Sequence, residues 1–285
     1  MENILLPSKM TFVEGDKEHE SILTIEPLHH GYGTTIGNAL RRVMLSSLEG
    51  AAVTAVKIKG VRHEFSSLEG VKEDILEIIL NLKRLRMKVY SSEPITLKLE
   101  MSGETVVTGA DIQPNADVEI INSDLVLANL TSKDASLVME ITVGRGRGFV
   151  PTEEREASGE IGVIAVDSMF SPVVNVGVKV ENTRVGEITN YDKAIITILT
   201  DGTLAPQEAV DQATKVILNH FSWIDGQLAN AALTEKIESA KEEKVEEGLG
   251  AAEDTYEEVP TELPEEVENE PEVQEDVEPE EPEVE

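Results

Sequence analysis

The chain has 285 residues, 40% apolar but only 4% aromatic, enough for one large domain or two small ones with mainly aliphatic cores. No apolar run approaches a membrane span and the N-terminus has no basic, apolar signal pattern, while the absence of cysteine excludes disulfides, thiolate zinc sites and cysteine nucleophiles. The formal charge of −32 is unevenly placed: Glu235–Glu285 carry 23 acids against three lysines, a net of −20.

In chain order, Ser21-Ile22-Leu23-Thr24-Ile25 reads as a strand and leads into HHGYGTTIGNALRR, residues 29–42. Thr34 or Thr35 is placed to cap the helix that follows, and Ile36, Leu40, Val43, Met44 and Leu48 fall at helical spacing before Gly50. Residues 52–58 form a short strand. In SSLEGVKEDILEIILNLKRLRMK, Val71, Ile75, Ile79 and Leu82 make a helical stripe, widened by Leu76 and Leu80. Acids come early and bases late, which complements the helix dipole.

Residues 94–150 read as all-β, with short alternating runs between Ser-Gly, Asn-Ser and Lys-Asp turns. Longer strands are predicted at 173–180, where Val174, Val176, Val178 and Val180 share a face, and at 193–200. A last helix begins near Pro206 and steps through Val210, Ala213, Ile217, Phe221, Ile224 and Leu228. That seam suits either its own sheet or a partner helix. Folded structure is expected to end between Asn230 and Ala240. The acid- and proline-rich segment 235–285 cannot bury enough apolar surface to offset chain ordering, so it is expected to be disordered.

Strand, glycine turn and helix also describe a phosphate-binding loop. Here Gly31, Gly33 and Gly37 are spaced one residue longer than a dinucleotide fingerprint, no Gly-Lys-Ser/Thr follows, and Lys57-Ile58-Lys59 stand where a ribose-binding acid belongs. A tight turn with close helix packing accounts better for the glycines. His29 and His30 are adjacent and, on an extended chain, point to opposite faces. GRGRGF, 144–149, fits a turn after a strand as well as an RNA contact. Arg41 and Arg42 project about 100° apart on their helix, so one of them can serve as an interface anchor.

IEPLHHGYGTTIGNALRRVMLSSLEG, GVRHEFSSLEGVKEDILEIILNLK, GRGRGFVP, DSMFSPV and VENTRVGEITNYDKAIITILTDGTLAPQEAV resemble, in order and across residues 20–225, the α subunit of bacterial DNA-directed RNA polymerase. The resemblance implies an α+β, nested two-domain architecture. A helix-and-sheet dimerisation domain takes residues 1–49 and 173–232, and a β-rich domain is inserted at 50–172. Ile36, Leu40 and Met44 of the first helix, with Val210, Ile217, Phe221 and Ile224 of the last, are then one dimer core shared with a second copy.

By position, Thr35, Arg42, Leu45 and Lys83 match residues the family uses towards the β subunit, and Asp167 matches the β′ side. The dimer would be the assembly platform for β and β′, with ω and σ joining through the assembled enzyme. The resemblance makes the chain a cytoplasmic subunit of a nucleotidyltransferase that itself carries no catalytic residue, cofactor or metal, the magnesium lying in β′. The family usually continues into a helical domain that binds promoter DNA. The corresponding stretch here is the acidic tail, which would repel phosphate, so direct DNA contact by this chain is not expected. Membrane association is not expected either.

Overall fold

The computed structural model describes residues 4–155, 160 and 162–249, with side chains up to residue 229. Strands β1 (Lys9–Glu14) and β2 (Glu20–Leu28) lead into helix α1 (Tyr32–Ser46), followed by β3 (Glu49–Ile58) and α2 (Ile75–Lys83). Then come β4 (Met87–Val89), β5 (Ile95–Ser102), β6 (Thr105–Thr108), β7 (Val118–Ile120) and β8 (Val126–Leu130). They are followed by β9 (Ser136–Arg147), β10 (Phe149–Val150), β11 (Val163–Ala165) and β12 (Ser168–Met169). The long hairpin β13 (Val173–Val185) and β14 (Ile188–Thr200) precedes α3 (Pro206–Leu249). The mixture of helices and antiparallel sheets is α+β.

One antiparallel sheet has the order β1-β2-β14-β13 and joins strands that precede and follow the strand-rich middle of the sequence. Its inner face alternates as expected for a half-covered sheet: Leu23 and Ile25 on β2, Ala194, Ile196 and Ile198 on β14 are buried. Leu40 and Met44 from α1, Leu48 just beyond its end, and Ala209, Val210 and Ala213 from α3 close the same core. The valines of β13 do not all face it. Register slips between Val173 and Asn175, so Val173 and Val176 are buried while Val174 is 54% exposed. A bulge inserts one residue, and every side chain before it changes side.

A separate core is built between 53 and 166, where the sheet β11-β3-β9-β5 meets α2 and the short ribbons β4–β7 and β6–β8. Helix α2 is shorter than its apolar stripe. Asp74 caps it by accepting from Glu77 N at 3.0 Å, whereas Val71 is extended and bridges Leu130. Ile75, Ile78, Ile79 and Leu82 are buried, and Leu76 and Leu80, expected to widen the buried stripe, are exposed. The buried carboxylate of Glu73 accepts from Asn129 N at 2.7 Å and fixes this loop to β8.

The chain divides at Gly226/Gln227. The backbone of α3 stays helical to Leu249, beyond the end expected between residues 230 and 240. Residues 250–285, most of the acidic segment expected to be disordered, lie outside the described residues.

Candidate subunit interface

The glycine turn is settled by a contact that spans the sequence. Gly31 is the N-cap of α1 with φ 86°, and no side chain from Thr34 or Thr35 caps the helix. Thr35 Oγ1 instead donates to Gly31 O at 3.3 Å. The cap comes from β14: Asp192 Oδ2 accepts from Gly31 N at 2.9 Å and from Gly33 N at 3.0 Å, with the Asp192 side chain only 5% exposed. The anion-binding end of the helix thus holds the protein's own carboxylate, with His30 Nδ1 3.6 Å from its other oxygen. Gly37 serves packing: a Cβ there would stand 2.5 Å from Val178 Cγ1. Gly33 and Gly37 bring α1 close to β13, and the amides of Gly31 and Gly33 are taken up by Asp192.

On the far side of α1 an apolar groove of about 570 Å³ runs between α1 and α3. Ile36, Ala39 and Leu40 line it from α1, and Val210, Ile217 and Phe221 from α3. The residues expected in a dimer seam divide into two groups. Leu40 and Val210 are buried at the floor, and Met44 lies wholly within the chain's own core. Ile36 and Ile217 are half-buried, whereas Phe221 is 65% and Ile224 46% exposed. Leu218 and Trp223 add to this exposed apolar surface and were not among the residues expected in the seam. The lone tryptophan on a helix that already carries one complete apolar stripe was the available signal.

The residues matched to the large subunits occupy two places. Thr35 and Arg42 are exposed on α1, seven residues apart and hence on one face, and Leu45 is half-buried against the core. Thr35 also lines the groove, so it borders the surface matched to a second copy. Lys83 and Asp167 meet directly: Lys83 Nζ donates to Asp167 Oδ2 at 2.8 Å. Thr152 N donates to Asp167 Oδ1 at 2.9 Å, and these bonds hold the Asp167 carboxyl below its usual range, the Lys83 bond most of all.

Arg155 anchors the same segment. Its Nη1 donates to Thr54 O at 3.0 Å and to Val166 O at 3.1 Å, its Nη2 to Val150 O, and its guanidinium stands 5.9 Å from the Phe170 ring centre. Sequence spacing gave no sign of this network, because its partners lie up to 101 residues apart.

Among the described residues no three His, Asp or Glu side chains are grouped to hold a metal, and no helix is long and apolar enough to cross a membrane.

Comparison with known proteins agrees with this architecture. A family model described as the RNA polymerase Rpb3/RpoA insert domain matches residues 56–171, the strand-rich core. The chain is 50% identical over 226 residues to the DNA-directed RNA polymerase subunit alpha of Alkaliphilus oremlandii (strain OhILAs), covering 78% of this chain and 71% of that one. It is 48% identical over 227 residues to the protein of the same name from Oceanobacillus iheyensis, covering 78% and 72%. Sheet, insert and sequence together place the chain in the family of DNA-directed RNA polymerase α subunits.

Proposed function

We propose that the chain is an assembly subunit, which pairs with a second copy through α1 and α3 and presents the pair to the β and β′ subunits. Residues 1–49 and 173–232 would be the dimerisation domain and 50–172 the insert. The observation that carries the reading is the apolar groove continued by Leu218, Phe221, Trp223 and Ile224, a surface that one copy leaves open to water. Burying each such side chain contributes roughly 1.5–3 kcal/mol, so a few of them sustain a lasting dimer. Thr35, Arg42 and Leu45 would face β together with Lys83, and Asp167 would lie towards β′. Magnesium would be held by β′, with ω and σ added through the assembled enzyme.

Reconstitution tests the reading: this chain mixed with β, β′ and a σ factor should yield promoter-dependent RNA synthesis. Arg42→Ala should fold and dimerise normally yet lose β capture by about 2 kcal/mol or more, as interface anchors do, with Arg41→Ala as the milder control. A dimer that captures β equally well without the Arg42 side chain would remove it from the contact. Failure of the parent chain to support synthesis would remove the assembly role.

A further inference from the structure

The two apolar cores are joined by more than chain connectivity. The backbone passes between them at Gly50 and again at Phe170–Pro172, and the crossings touch: a Cβ on Gly50 would stand 1.9 Å from Phe170 O. Beside them lies a cleft of about 320 Å³, with Glu49, Lys88 and Arg145 on one wall and Leu204 and Glu208 on the other.

Arg86 reaches across this junction. Its neighbours Leu85 and Met87 are buried in the strand-rich core, and its own backbone N donates to Asn122 Oδ1 at 2.7 Å. Its Nε lies 3.7 Å from Oδ2 of Asp201, whose side chain is 7% exposed on the turn between β14 and α3. That carboxylate belongs firmly to the helix–sheet side. Asp201 N donates to Pro172 O at 3.0 Å, and Asp201 Oδ1 accepts from Thr203 N, also at 3.0 Å, and from the Thr203 hydroxyl. Each member of the ion pair is therefore fixed by a different core. A cation and an anion so held, with an open cleft alongside, bias the angle between two packed bodies that meet at narrow crossings.

We propose that the Arg86–Asp201 pair is a latch that presets the angle between the strand-rich core and the helix–sheet core, so that a large partner touching both meets a preorganised surface. The consequence for the partner rests on the assembly reading, in which β contacts Thr35, Arg42 and Leu45 on α1 and Lys83 on the insert. A surface split between two mobile bodies loses affinity to ordering on contact, and a latch removes that loss beforehand.

The chain contains no cysteine, so single cysteines substituted for the exposed Lys17 and Lys98, one on each core, take spin labels without background. Doubly labelled full-length chain, diluted with unlabelled chain, reports the intramolecular distance by pulsed electron paramagnetic resonance. The parent and Arg86→Lys should give one narrow distribution, and Arg86→Gln and Asp201→Asn a broadened or displaced one. Asp201→Asn keeps an oxygen for Thr203, so the turn survives even where another variant folds poorly. Distributions of Arg86→Gln and Asp201→Asn that coincide with the parent's would overturn the latch. Association of isolated β should slow in the same variants while dimerisation holds; unchanged association despite a widened distribution would overturn the preorganising role. If the parent captures no β at all, the assembly reading fails, and the latch is judged on the distance measurement alone.

Discussion

Asp192 decides what the glycine turn is for. With its carboxylate removed, the buried Gly33 N and the more exposed Gly31 N are left without their acceptor, and the buried one alone costs roughly 1–3 kcal/mol. Asp192→Ala should therefore lower the thermal midpoint, and Asp192→Asn, which keeps an acceptor, should lower it less; equal midpoints in all three proteins would contradict the cap. Asp167 makes a prediction about pH. Its carboxyl is held below the usual range, so it stabilises the fold above the unfolded carboxyl's pKa of about 3.9 and loses that contribution as pH falls through the lower folded value. Urea midpoints should thus decline below about pH 4, and Asp167→Asn should flatten that decline. A decline of the same steepness in the variant would assign it to other carboxylates, Glu73 first among them. Burial works to raise the Glu73 pKa, but its bonds to Asn129 outweigh that and lower it.

Among the elements, α3 carries the sharpest expectation. Its first turns supply Ala209, Val210 and Ala213 to the chain's own core, and the following turns expose Leu218, Phe221, Trp223 and Ile224. Ile217 stands where the one use passes into the other. Ile217→Glu should yield a folded monomer at micromolar concentration by sedimentation, with the emission of Trp223 shifted to the red of the parent's. A variant that still sediments as a dimer would place the seam elsewhere. Periodicity made α1, α3 and the long strands legible in the sequence, because those elements bury one regular face. It misled where a local conformation competes: Val71 fits the stripe of α2 but is drawn into a bridge with Leu130, and the bulge at Val174 breaks an unbroken run of alternating valines. The Asp192 cap and the Lys83–Asp167 pair were invisible for a different reason. Their partners are 161 and 84 residues apart, and only the folded sheet brings them together.

At the scale of the whole molecule, neither apolar core uses a described residue beyond Ile217. Removing residues 250–285 should leave the thermal midpoint and the sedimentation coefficient's concentration dependence unchanged. The lost charge should still be felt electrostatically: promoter fragments should bind the assembled enzyme equally well or slightly better, with the difference shrinking as salt rises, since screening acts over about 8 Å at physiological ionic strength. A midpoint lowered by the truncation would show that the segment takes part in folding.

The sheet β1-β2-β14-β13 also imposes an order in time. During synthesis the amides of Gly31 and Gly33 emerge long before Asp192, and β2 emerges long before β14, which pairs with it from Leu28 to Glu20. At roughly 5–20 residues per second, the 161 residues separating Gly31 from Asp192 take about 8–30 s to make. The strand-rich core, whose buried residues lie between 53 and 166, is fully synthesised before Asp192 and can close first, while β2 keeps an open edge and α1 an uncapped first turn. The nascent chain is therefore most exposed to mispairing at its oldest end, and a ribosome pausing within β13 would prolong that exposure more than a pause anywhere after β14.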